Sequence, residues 1–127
     1  MSHVGIRYIV DDVPASIAFY VTQLDFTIEQ DASPAFASVV RDGVRLLLSG
    51  DGSSGKRQLP DGRRPVPGGW NRIHLEVTDL LAEVAKLRAA GVSFRTDEVV
   101  TGPGGSQVVF DDPSGNPVEL FQPRARS

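Results

Sequence analysis

The sequence predicts an α+β fold built as two βαβββ modules in tandem. Three observations predict it. A strand-then-helix pattern occurs twice at a fixed spacing. Each occurrence is followed by three short apolar runs separated by turns. A long segment rich in Gly, Ser, Pro and basic residues divides the chain between the two.

The repeat comes first because internal repetition decides architecture. "IRYIVDDVPASIAFYVTQLDF" (6–26) and "IHLEVTDLLAEVAKLRAAGV" (73–92) align with Ile6 on Ile73, Tyr8 on Leu75, Val10 on Val77 and Asp12 on Asp79, a constant offset of 67. Two copies are too few for a solenoid and fit a duplicated module. Each copy opens with alternation: Ile6, Tyr8 and Val10 against Arg7 and Ile9, then Ile73, Leu75 and Val77 against His74 and Glu76. A period of two is a strand with one face on a core. Asp12 and Asp79 follow, each placed to cap the exposed N–H groups of a helix start. Pro14 suits the first helical turn. Ile17, Phe19, Tyr20 and Leu24 give the first helix its apolar side; Val84, Leu87 and Ala90 give the second, which stops at Gly91. The expected strands are then 26–29, 36–41 and 44–49 in the first module, and 93–98, 106–111 and 118–122 in the second, with Gly-, Pro- and Asp-rich turns between them. The modules span 4–50 and 71–123 of one domain (1–127), joined by the loop 49–70. Loops of that length are often lids or disordered.

Composition bounds the function. The 127 residues are 40% hydrophobic, enough for one compact domain with a real core. The net charge of −3 argues against nucleic acid, which selects for clustered positive charge. Lys56, Arg57, Arg63 and Arg64 do cluster, but among Gly, Ser and Pro with no aromatic interleaved, which reads as a solvated loop. With no cysteine there is no disulfide, cysteine-bound zinc or thiol nucleophile. No apolar run approaches a membrane span and no secretion signal is legible, so a cytoplasmic location is expected. "GPGG" (102–105) lacks the Lys-Ser/Thr and the helix of a phosphate loop and reads as a turn. No serine sits in a nucleophile elbow.

The tandem modules, with "VDDVPASIAFY" opening the first and "DDPSGNPVELFQ" closing the second, resemble the vicinal oxygen chelate superfamily of glyoxalase I, bleomycin-resistance proteins and extradiol dioxygenases, over roughly residues 4 to 123. The resemblance implies that the strands curve into a half-open, cup-shaped mixed sheet with helices on its outer face. It also implies a divalent metal in the cup of the enzymes, held by His or Glu from the first and last strands of each module. Carried onto this chain, the four ligand positions are Gly5 and Leu47 in module one and Arg72 and Glu119 in module two. Only Glu119 can bind a metal, and catalytic sites need about three protein ligands. No metal and no other cofactor is therefore expected. A shifted register through His3, His74 and Glu119 is the alternative.

Arg72 stands where a ligand belongs, keeps its proton and repels cations. A carboxylate in an apolar strand is costly unless paired. Arg72 and Glu119 are therefore expected to pair in place of the metal centre, with metal ligand or general base as the other roles open to Glu119. His74 reads as a hydrogen-bonded cup residue or as a group contacting the ligand or moving a proton, since histidine titrates near neutrality. Parity places Arg7, Ile9, Glu76 and Phe121 on the same side, where Ile9 and Phe121 either pack or line a pocket. Trp70 ends the loop and is expected to wall or cover the cup, or else to pack on the sheet.

Two classes of function follow. One is a metal-free protein of the bleomycin-resistance type, a homodimer by resemblance, holding an apolar or aromatic small molecule. The ligand-contacting residues would then be Arg7, Ile9, Leu47, Trp70, Arg72, His74, Glu76, Glu119 and Phe121. The other is a glyoxalase-like lyase, an isomerase or a dioxygenase-like enzyme, metal-dependent in the shifted register or using His74 or Glu119 as base.

Overall fold

The computed structural model of the chain describes residues 4–96 and 98–125. Contacts divide the chain into two units, Met1–Gly68 and Gly69–Ser127. Each unit holds one helix and one four-stranded mixed sheet, an α+β architecture with open sheets. The first has β1 (Gly5–Ile9), α1 (Val13–Leu24), β2 (Thr27–Ala32), β3 (Phe36–Arg41) and β4 (Val44–Ser49); the second has β5 (Ile73–Glu76), α2 (Leu80–Ala89), β6 (Val100–Gly102), β7 (Gly105–Asp111) and β8 (Pro117–Pro123). The sheet orders are β1-β4-β3-β2 and β5-β8-β7-β6. In both, the first strand runs parallel to the last, and the remaining pairs are antiparallel.

The helices start where the sequence places them. Asp12 accepts from the Ala15 N–H at 3.0 Å and Asp79 from the Ala82 N–H at 3.1 Å, so each satisfies an orphan donor of its first turn. Both helices lie on the face of the sheet that the apolar parity marks. In the first unit Tyr20 is fully buried, edge-on to Tyr8, Phe19 and Phe26, above Val39, Leu46 and Leu48. In the second, Leu80, Val84 and Leu87 cover Leu75, Val108, Phe110 and Leu120. Leu80 completes this stripe; Ala90, expected in it, is exposed because the helix has already ended. Ile6 is also 37% exposed, so the core face of β1 begins at Tyr8.

Two strand expectations are corrected. β2 runs on to Ala32, paired with β3 on both sides of a bulge between Ile28 and Gln30. Residues 93–98 form no strand among those described: Phe94 makes one bridge to Phe110. The segment is held by its side chains instead, since Arg95 bonds Asp111 and the carbonyls of Gly69 and Gly115. The edge strand beside β7 is instead β6, and the β6–β7 hairpin turns at 103–104 within the GPGG segment.

The loop 49–70 is not uniformly solvated either. A single 3-10 turn, Ser54–Lys56, packs against β1 and β4. Lys56 is mostly covered and its Nζ reaches Val10 O at 3.0 Å, Asp51 at 2.9 Å and Asp11 at 3.4 Å. Arg57, Arg63 and Arg64 are exposed as expected.

Candidate functional site

In the second unit, the face opposite α2 carries the alternate residues of β5 and β8. The register pairs His74 with Glu119 and Glu76 with Phe121, and Val109 of β7 with Glu119. The turn 112–116 delivers β8 in this register. Asp112 and Asn116 are both buried there; the Asp112 carboxylate accepts from the N–H groups of Ser114 and Asn116, each at 2.9 Å, and Gly115 takes the positive φ of 88°.

Glu119 is 7% exposed and does not stand alone. Arg72, immediately before β5, approaches with Nε and Nη2 both 2.9 Å from Glu119 Oε1. Its Nη1 donates to Trp70 O at 3.2 Å, fixing the fork. The other carboxylate oxygen, Oε2, lies 3.5 Å from His74 Nε2. His74 is half exposed and stacks at a tilt on Phe121, ring centres 5.0 Å apart. The expected pairing of Arg72 with Glu119 is thus present, and the two carboxylate oxygens divide between a guanidinium and an imidazole.

Trp70 is 72% exposed, its ring lying 4.7 Å from the Arg95 guanidinium. Glu76 is exposed beside Phe121. Nothing in the sequence marks Arg95, because its partners Gly69, Asp111 and Gly115 are distant along the chain.

In the first unit, the face opposite α1 carries Gly5, Arg7, Ile9, Leu47 and Ser49, with Arg7 in register with Leu47 and Ile9 with Ser49. Arg7 Nη1 donates to the buried Ser49 Oγ at 2.9 Å. Toward β2, Glu29 takes Arg45 Nε and Nη2, both at 2.6 Å, and the Ser38 hydroxyl at 2.9 Å. The hydrogen bond to Glu29 raises the Arg45 pKa, so this pair stays ionised. Lys56 is likewise held above the ordinary lysine value of 10.5, chiefly by its hydrogen bond to Asp51.

The donor set does not fit a divalent metal. Gly5 and Leu47 offer no side-chain ligand, Arg72 brings a fixed positive charge, and Glu119 is already engaged by it. Among the described residues no three His, Asp or Glu side chains converge on one point. His3, needed for the shifted register, lies outside the described residues.

The comparisons agree with the geometry. A family model described as the Glyoxalase/Bleomycin resistance protein/Dioxygenase superfamily matches residues 1–120. No curated protein sequence matches the chain. Among solved structures, a member of that superfamily from Sphaerobacter thermophilus DSM 20745 is 27% identical, with 96% of this chain and 97% of that one covered at a TM-score of 0.75. TnmS3, an antibiotic binding protein from Streptomyces sp. CB03234, is 27% identical, with 98% of each chain covered at a TM-score of 0.70. The lactoylglutathione lyase of Agrobacterium tumefaciens, 18% identical over 95% of this chain and 92% of its own, shares the fold at a TM-score of 0.73. With two βαβββ units in this strand order and a family match running from the first strand into the last, the chain belongs to the Glyoxalase/Bleomycin resistance protein/Dioxygenase superfamily.

Proposed function

We propose that this chain is a metal-free small-molecule-binding member of the superfamily that sequesters an apolar or aromatic ligand, as a cytoplasmic homodimer. Arg72, His74 and Glu119 supply sparse polar contacts, and Phe121 and Trp70 supply apolar surface. Binding sites typically combine apolar walls with a few placed polar groups. The observation that carries the reading is the Arg72–Glu119 pair, which occupies with a fixed cation the position where a metal enzyme of this family needs a ligand. The 27% identity to an antibiotic binding protein over nearly the whole of both chains supports it.

The test is to identify by mass spectrometry what copurifies with the chain. Aromatic natural products and quinones are then screened by thermal shift and by Trp70 fluorescence. Trp70 is the only tryptophan, so any emission change reports on this region. A hit that raises the melting temperature and is recovered unchanged supports sequestration; the absence of any hit sinks it. One observation favours a second reading: the half-exposed His74 beside a buried carboxylate is an arrangement that can move a proton. Consumption of a hit by the wild type, abolished in His74→Ala, would replace sequestration with catalysis.

A further inference from the structure

The second unit carries a separate groove on the face of its sheet that α2 covers. The helix packs over Leu75, Val108, Phe110 and Leu120 and begins at Gln122, whose Oε1 accepts the Leu80 N–H at 2.8 Å. From Gln122 a polar row runs in register to Ser106 on β7 and Thr101 on β6. Beside this row lies a half-open groove of about 640 Å³, the size of an ordinary small-molecule site. The residues that line it all belong to the second unit.

The polar part of the lining is rich in unspent donors. The Gln122 amide is oriented, because its oxygen serves Leu80, and its Nε2 hydrogens have no partner among the described residues. Thr101 Oγ1 and Ser106 Oγ share one hydrogen bond at 3.0 Å, which leaves one of the two hydroxyl protons over. Arg124 follows β8, its backbone N–H held by Gly104 O at 2.9 Å. Its guanidinium has no hydrogen-bond or ion-pair partner among the described residues. No Asp or Glu is among the described residues of the lining. Asp79, next to the helix start, turns its carboxylate to the Ala82 N–H at 3.1 Å. The helix start is not itself the recogniser, since Gln122 and Asp79 already occupy the Leu80 and Ala82 N–H groups. The rest of the lining is largely apolar: Leu80, Val99, Pro123 and Leu81, the last 72% exposed. A cation and free donors without a neighbouring carboxylate complement an oxyanion. Exposed apolar side chains beside them complement a hydrocarbon.

We infer that this groove is a second ligand site, and that it takes an amphipathic monocarboxylate. The carboxylate meets Arg124, with Gln122 and the hydroxyl pair supplying further donors, and the hydrocarbon lies along Leu81 and Val99. The inference stands apart from the binding reading above, since the two sites share no residue.

The experiment follows the amide NMR spectrum of the isotope-labelled full chain while octanoate, octanamide or acetate is added. Octanoate should move the signals of Leu81, Thr101, Ser106 and Arg124 saturably. It should bind about tenfold tighter than octanamide, the scale of a charge-assisted hydrogen bond. Acetate, which lacks the tail, should bind more weakly than octanoate. Arg124→Gln should bring octanoate down to the level of octanamide. Gln122→Glu still offers Leu80 an acceptor but exchanges the amide donors for a negative charge, and should weaken octanoate alone. Leu81→Ser should weaken both long probes. Arg124 and Leu81 are exposed, so their variants should fold, and the spectra themselves report it. Equal affinity for octanoate and octanamide, or an Arg124→Gln preference equal to wild type, overturns the inference. So does the absence of a saturable shift, or octanoate shifts confined to His74 and Phe121. Each of these outcomes leaves the reading of the Arg72–Glu119 site standing.

Discussion

Glu119 meets a guanidinium through one oxygen and an imidazole through the other, and this sets what its neighbours do when changed. Arg72→Ala removes the permanent partner and leaves a carboxylate at 7% exposure with His74, among the described residues, at 3.5 Å from it. Loss of stability by roughly 1–3 kcal/mol is expected, the cost of a buried polar group left unsatisfied. It should appear as a lowered denaturation midpoint. Glu119→Gln should cost less, because the amide oxygen still accepts from the guanidinium in the same shape. A double-mutant cycle between Arg72→Ala and Glu119→Ala isolates the coupling, and additivity of the two would show that the pair contributes nothing. This pair was legible in the sequence because both residues fall on family ligand positions and burial demands a partner. His74 against Phe121 followed from parity. Arg7 with Ser49 did not follow, because a hydroxyl at a strand end signals nothing until the register is known.

The strand-helix halves of the two units were readable because cap and periodicity agree there, with Pro14 added in the first, while the later strands were not uniformly so. Residues 36–41 and 44–49 are apolar runs bounded by turns, largely covered, and match β3 and β4. Residues 93–98 hold one apolar residue, Phe94, and Arg95 is spent on the 111–115 turn and on Gly69, so the ladder passes to β6. Sequence patterns report which way side chains point; they do not report which backbone groups are already engaged. The caps give a test at this scale. Asp12→Ala and Asp79→Ala should each cost about 1 kcal/mol, seen as a fall in thermal midpoint, and Asn at either site should restore most of it. The docked part of the loop gives another. Lys56 has a pKa raised above 10.5 by Asp51, so its contribution is complete below 10.5 and is lost as pH rises through the raised folded value. Unfolding free energy should therefore drop more steeply at alkaline pH in wild type than in Lys56→Met. Identical alkaline slopes would mean the lysine does not hold the loop.

Across the whole molecule, duplication preserved topology while the four family ligand positions diverged to Gly5, Leu47, Arg72 and Glu119. Fold alone does not fix chemistry, so these positions decide between a metal enzyme and a binding protein. An arginine at such a position opposes a cation twice. Its own charge repels the ion, and it holds the one carboxylate that could have served as a ligand. Binding a metal would require breaking the Arg72–Glu119 pair and then supplying further donors. The purified protein should accordingly carry far less than one equivalent of transition metal by elemental analysis. Added zinc, nickel or manganese should leave the melting temperature unchanged, since a ligand bound only by the folded state raises it by mass action. Removing the obstacle alone should not create a site: Arg72→His should gain measurable zinc affinity over wild type, because it frees Glu119 and adds a second donor beside His74, whereas Arg72→Ala should not. Near-stoichiometric metal in the wild type, lost in His74→Ala and Glu119→Ala, would reverse the assignment and make the chain a metal-dependent member of its family.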